Sequence, residues 1–114
     1  MSECLFCRIV TGEIPAEKLH EDEHTIAFRD INPQAPTHFL VIPKKHIETL
    51  LDVTPEDHEL MGRLVHTANT VAKAQGVDKA GFRAVVNCRE QGGQTVYHLH
   101  LHVLGGRFMK WPPG

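Results

Sequence analysis

The chain has 114 residues, 41% of them hydrophobic and 23% charged, with a net charge of -2 when its nine histidines are neutral. That length supports one domain, residues 1–114, with a modest core, and leaves too little chain for a second independent one. The charge gives no basic excess for polymeric DNA or RNA to recognise, and no window approaches the roughly 20 apolar residues that cross a bilayer, so a cytoplasmic protein with no nucleic-acid or membrane partner is expected.

In chain order, the start ECLFCRI contains C-x-x-C. An odd total of three cysteines argues against a disulfide framework. Cys4 and Cys7 can then be a redox pair, two small packed residues, or half of a zinc site. Thioredoxin-like chemistry normally accompanies a βαβ pattern, which this chain lacks. Residues 4–10 have helical potential, limited by Gly12 and Pro15 to a short helix. Apolar and β-branched runs predict strands over 18–20, 25–30 and 38–42. Their connections, EDEH and NPQAP, are short and rich in turn formers, which suits antiparallel pairing.

His38 and His46 are eight residues apart, about 25 Å if the strand between them is extended, so they cannot both ligate one metal. A long helix is predicted over 54–76: Thr54 caps, Pro55 suits the first position, Asp57 completes a capping-box pair and Gly76 closes the end. Leu60, Met61, Leu64, Val65, Ala68, Val71 and Ala72 then share one face. Strands over 83–87 and 96–104 complete an α+β fold: a five-stranded antiparallel sheet, the long helix on one face, and the short amino-terminal helix. An edge strand and a long apolar stripe in so short a chain favour a homodimer. Nothing assigns chemistry to His20, His24, His58, His66 or Cys88.

The last strand carries YHLHLHVLGG, with His98, His100 and His102 at alternate positions. Side chains alternate across a strand, so the three imidazoles share one side, with Cα atoms about 6.5–7 Å apart, while Leu99, Leu101 and Val103 face the other. Such a row can be a half-exposed polar face, a metal centre, or a nucleophilic imidazole with proton-handling neighbours. The preceding NCREQGGQTVYH allows a tight turn at Gly92 and Gly93 and places Gln94 and Thr95 as donors near the histidine face. Two glycines between strands are commonly a plain turn, but beside three histidines they favour a phosphate held against an imidazole.

The run GGQTVYHLHLHVLGG resembles the His-x-His-x-His-x-x signature of the histidine triad (HIT) family, and THFLVIPKKHI resembles that family's second recurrent segment. FRDINPQAP and the ending GGRFMKWPPG are similar to the Hint branch, the histidine triad nucleotide-binding proteins. The resemblance implies a purine nucleoside phosphoramidase or nucleotidyl hydrolase acting on purine nucleotides such as AMP or GMP and their phosphoramidates. It also implies a homodimer with one continuous sheet, and Trp111 near the partner's site.

On this sequence His100 matches the nucleophile that attacks the α-phosphorus, and His102 the residue that meets phosphate and leaving group as general acid. Asn87, Gly93, Gln94 and Thr95 match phosphate or leaving-group contacts, Asp30 the ribose contact, and Phe6, Ile9, Phe28 and Ile31 the purine sleeve. His38 matches a residue supporting the active-site histidines. Thr95 departs from the serine frequent in the branch, which bears on leaving-group preference. Some bacterial members with a similar amino end complete a structural Cys2His2 zinc site, which here would comprise Cys4, Cys7, His46 and His98. A dinucleoside polyphosphate hydrolase and a non-catalytic nucleotide-binding module are the competing functions.

Overall fold

A computed structural model describes residues 3–114. Helix α1 (Leu5–Val10) is followed by strands β1 (Lys18–Glu21), β2 (Thr25–Arg29) and β3 (Thr37–Pro43), helix α2 (His58–Ala74), then β4 (Phe82–Val85) and β5 (Leu101–Gly105). The five strands form one antiparallel sheet in the order β1-β2-β3-β5-β4. No helix among the described residues is long and apolar enough to cross a membrane.

The consecutive apolar residues of β2 and β3 are explained by cover on both sheet faces. Ala27, Phe39 and Val41 join Leu99, Leu101 and Val103 under α2 residues Leu64, Ala68, Val71 and Ala72. Ile26, Phe28, Leu40 and Ile42 point the other way, against Phe6 and Ile9 of α1. Burying each such large side chain contributes on the order of 2 kcal/mol. The two helices therefore assign the two faces different work: α2 closes the core, and α1 stands over the side on which the histidines emerge.

Before α2, the Thr54 backbone N–H and hydroxyl both donate to Asp57 Oδ2. This is the capping box expected there, built on a 3-10 turn at Pro55–Asp57 that leads into the helix at His58. The apolar face is narrower than the periodicity predicts: Val65 is 56% exposed, whereas Thr67 is buried and pairs its hydroxyl with that of Thr25 at 2.8 Å. The Thr25 hydroxyl donates in turn to Asp22 Oδ2 at 3.0 Å, so the pair is satisfied and a polar letter occupies a core position that hydrophobic counting passes over.

The final strand is also shorter than expected. The β3 and β5 register runs from Thr37 opposite Gly105 to Val41 opposite Leu101, and its continuation would bring Leu99 to Pro43. Proline has no N–H to donate, and the Pro43 carbonyl is taken by the His98 ring at 2.8 Å. Leu99 N–H turns instead to the Ile47 carbonyl at 2.6 Å. Residues 96–100 thus run beyond the ladder, although Leu99, Leu101 and Val103 keep their places under α2. Strand β4 likewise ends at Val85, which puts Asn87 in the loop that follows.

Candidate active site and metal cluster

A cavity of about 340 Å³ opens between α1 and the sheet. Phe6, Ile9, Phe28, Asp30, Ile31, Thr95, His100 and His102 line it, together with Leu5, Ile14, Pro15, Ala16, Leu40 and Val96. Phe6 sets its ring edge-on to Phe28 at 5.4 Å and to His100 at 5.1 Å between centroids, making an aromatic corner of the kind that accepts a flat ring. Ile31 is fully exposed and belongs to the rim. The stretch Ile14-Pro15-Ala16 carries no polar or titratable side chain, so nothing in its letters marks it as pocket wall.

Asn87, Gly93 and Gln94 are not among the residues lining this cavity. Gln94 is buried, and its amide is committed within the protein: Nε2 donates to the Glu48 and Val96 carbonyls, and Oε1 accepts from Arg89 N–H. Its work is to brace the loop that presents Thr95, and its backbone N–H is likewise taken, by the Arg89 carbonyl at 3.0 Å. In that loop a Cβ on Gly92 would lie 2.6 Å from the Cys88 carbonyl oxygen, and Gly93 has φ +86°, so both positions require glycine.

The partners of each histidine fix its tautomer. His100 Nδ1–H donates to the His98 carbonyl at 2.7 Å, leaving the lone pair on Nε2. His98 Nε2–H donates to the Pro43 carbonyl, leaving Nδ1 as the free acceptor. His38 Nδ1 accepts from Gln34 N–H at 3.0 Å, and its Nε2 is 3.0 Å from His102 Nδ1 and 3.4 Å from Asp30 Oδ2. Asp30 Oδ1 accepts from Asn32 N–H at 2.8 Å. Burial lowers the pKa of His100 and His102, which line the cavity, and of His38 behind them. His102 falls to about 4, with His100 and His38 adding to the effect. His100 and His38 also fall, with Asp30 opposing. Neutral imidazole is the form that carries a nucleophilic lone pair.

Cys4, Cys7, His46 and His98 lie close enough to bind a metal ion, their ligand atoms all within 4.8 Å of one another. His98 Nδ1 is 3.3 Å from Cys4 Sγ, 3.5 Å from Cys7 Sγ and 3.3 Å from His46 Nδ1, and Cys7 Sγ is 3.2 Å from His46 Nδ1. Tetrahedral zinc, with Zn–N of about 2.0–2.1 Å and Zn–S of about 2.3 Å, implies N···N edges near ~3.3 Å and S···N edges near ~3.6 Å. The measured edges fit a single small ion. His98 Nδ1, stripped of its proton by the Pro43 bond, is the donor such an ion needs. Burial lowers His98 to about 4, with the Pro43 bond opposing, which keeps the ring in its ligating form. The triplet therefore divides: His98 turns to sulfur, while His100 and His102 turn to the cavity.

A sheet with a neutral, backbone-oriented histidine at the floor of an apolar cavity and a second histidine beside it defines a histidine triad protein. Residues 11–109 match the HIT domain family model. A crystal structure of a HIT family hydrolase from Legionella pneumophila Philadelphia 1 is 55% identical with a TM-score of 0.97, over 98% of this chain and 100% of that one. A histidine triad protein from Clostridium difficile is 43% identical with a TM-score of 0.93, over 96% of each chain. An uncharacterized HIT-like protein of Synechococcus elongatus is 50% identical over the full length of both. The chain belongs to the HIT family. Its structural neighbours include HIT family hydrolases, and it is a hydrolase-like protein of that family.

Proposed function

We propose that the protein is a purine nucleoside phosphoramidase that cleaves at the α-phosphate through a nucleotidyl-His100 intermediate. The observation that carries this is the bond from His100 Nδ1–H to the His98 carbonyl, which leaves the Nε2 lone pair on a ring lining the cavity. The purine lies in the cavity against the corner that Phe6 and Phe28 form, and Asp30 takes the ribose hydroxyls. Phosphate rests between His100, His102 and the loop bearing Thr95. Nε2 forms a bond to phosphorus as the amine departs, and water then displaces the histidine. The Hint-like ending GGRFMKWPPG favours a mononucleotide derivative over a dinucleoside polyphosphate.

Zinc at Cys4, Cys7, His46 and His98 would be a closed site with no position for water, and so structural in kind. A cytoplasmic setting, where thiols stay reduced, suits those ligands. A homodimer is supported by the surface: Phe108 and Trp111 are 98% and 82% exposed near the end of the chain, and β4 presents a sheet edge. A second copy would cover both. Light scattering at micromolar concentration should give twice the chain mass, and a monomer would remove this claim.

The activity is tested by quenching the protein in alkaline denaturant during turnover of an adenosine phosphoramidate, because a phosphorus–imidazole bond is labile to acid. Mass spectrometry should find the nucleotidyl group on the peptide containing His100. Tight AMP binding with no amine release would make the protein a binding module instead.

A further inference from the structure

We infer that Gln34 and Asp30, acting through His38, hold His102 as a neutral ring whose one proton is on Nε2. In that form His102 serves as a hydrogen-bond donor to a phosphoryl oxygen and not as the acid that protonates the departing amine. This deepens the proposed phosphoramidase reading and rests on it for the identity of the substrate.

The chain of bonds begins at a group that cannot reverse its direction. Gln34 N–H is a backbone amide, and it points at His38 Nδ1 from 3.0 Å. Nδ1 must therefore present a lone pair, and the proton of neutral His38 is on Nε2. That proton faces two acceptors, His102 Nδ1 at 3.0 Å and Asp30 Oδ2 at 3.4 Å. His102 Nδ1 is consequently an acceptor, which leaves its own proton on Nε2. His102 lines the cavity, so this N–H is its remaining polar contact with a ligand.

A second proton on His102 meets obstruction at each link. It would sit on Nδ1, facing the His38 Nε2–H across a 3.0 Å gap. Moving the His38 proton to Nδ1 would relieve that clash and create another against Gln34 N–H. The charged and titratable groups packed around the ring are His100 on the same segment, His38 on β3 and Asp30 after β2. Asp30 alone favours a cation, and it meets His38 first. Burial acts in the same direction as the geometry.

Asp30, His38 and His102 also bring ligand-type atoms within 4.8 Å of one another, but the shared atom, His38 Nε2, carries a proton. The same chain of bonds thus distinguishes this cluster from the cysteine site.

The step balances with a solvent proton. His100 Nε2 forms the bond to phosphorus with its lone pair, and the P–N bond breaks toward nitrogen. That nitrogen takes a proton from solvent hydronium, which becomes water, leaving a neutral amine and an imidazolium phosphoramidate whose Nδ1–H still donates to the His98 carbonyl. Throughout, His102 keeps its proton and stabilises the charge on the phosphoryl oxygen.

Nitrogen NMR of the substrate-free protein labelled in its histidines tests the assignment. At neutral pH, His102 Nδ1 should resonate as an unprotonated acceptor and Nε2 as protonated. Two protonated nitrogens, or the reverse tautomer, would overturn it. In His38→Phe the two His102 signals should move toward a tautomer average, and unchanged signals would remove His38 as the positioning residue. The wild-type spectrum stands even if that variant fails to fold.

For kinetics, His102→Ala should lower kcat/KM by the same factor across amine leaving groups of different basicity. A loss ~10-fold larger for the most basic amines would restore the acid role. Because the spectrum is read without substrate, failure of the reaction and failure of the tautomer assignment are distinguishable.

Discussion

His98 and His102 lie on the same side of one segment, four residues apart, yet their environments differ in kind. His98 is fully buried and directs Nδ1 at two sulfurs and another imidazole. His102 is half-buried and directs Nδ1 at a ring that already donates to it. The difference comes from β3, which runs antiparallel alongside. Its start supplies His38, and just past its end stands His46. A row of like residues laid against a strand whose two ends differ is divided into a donor set for a metal at one end and a hydrogen-bonded relay at the other.

The strongest way to break this division is at its midpoint. His100→Ala should lower turnover by about 10³-fold or more, since the covalent route disappears while the cavity remains. AMP affinity measured by calorimetry should change little. Near-normal single-turnover rates would show that another group attacks phosphorus.

Next comes the metal end. Cys4→Ser with Cys7→Ser should reduce bound zinc from one per chain to none and lower the melting temperature by roughly 10 °C, the effect of about 2–3 kcal/mol of lost ligand binding. Turnover measured below that temperature should persist. A folded, zinc-free variant with no activity at all would mean that the two ends are not separate.

Acid sharpens the comparison from the other end. His102 is held at about 4 against an ordinary 6.5, so the folded state prefers the neutral ring. The stability tied to it is complete above pH ~6.5 and is lost as pH falls from there toward ~4. Thermal melts of the zinc-free double variant should therefore fall across that window, and fall less steeply when His102→Asn is added. Equal slopes would show that His102 is not the group being charged.

The smallest effect is expected at the chain's end. Truncation after Lys110 removes the exposed Trp111 and should change the ranking of amine leaving groups by a few-fold, with little change in melting temperature. An unchanged ranking would separate Trp111 from the partner's site.

Much of this was legible in the letters. The capping box at Thr54 and Asp57, the antiparallel strands and the separation of His38 from His46 follow from local chemistry and chain geometry. What was missed depended on the third dimension. The early end of the β5 ladder required knowing that Leu99 would come opposite Pro43. Thr67 entered the core only because Thr25 waits there with a matching hydroxyl. Gln94 read as a ligand donor because its polar group is visible in the sequence, whereas the carbonyls that absorb it, from Glu48 and Val96, belong to no motif. Ile14, Pro15 and Ala16 became pocket wall through where α1 delivers the chain.

The Gln94 brace has a consequence for how the molecule opens. It ties the loop bearing Thr95 to Glu48, and Leu99 N–H ties the histidine segment to the neighbouring Ile47. The amides of Arg89, Gln94 and Leu99 therefore report on one small structure held by a few shared bonds. In deuterated solvent they are expected to exchange together, at a common rate slower than an open loop and faster than the sheet beneath it.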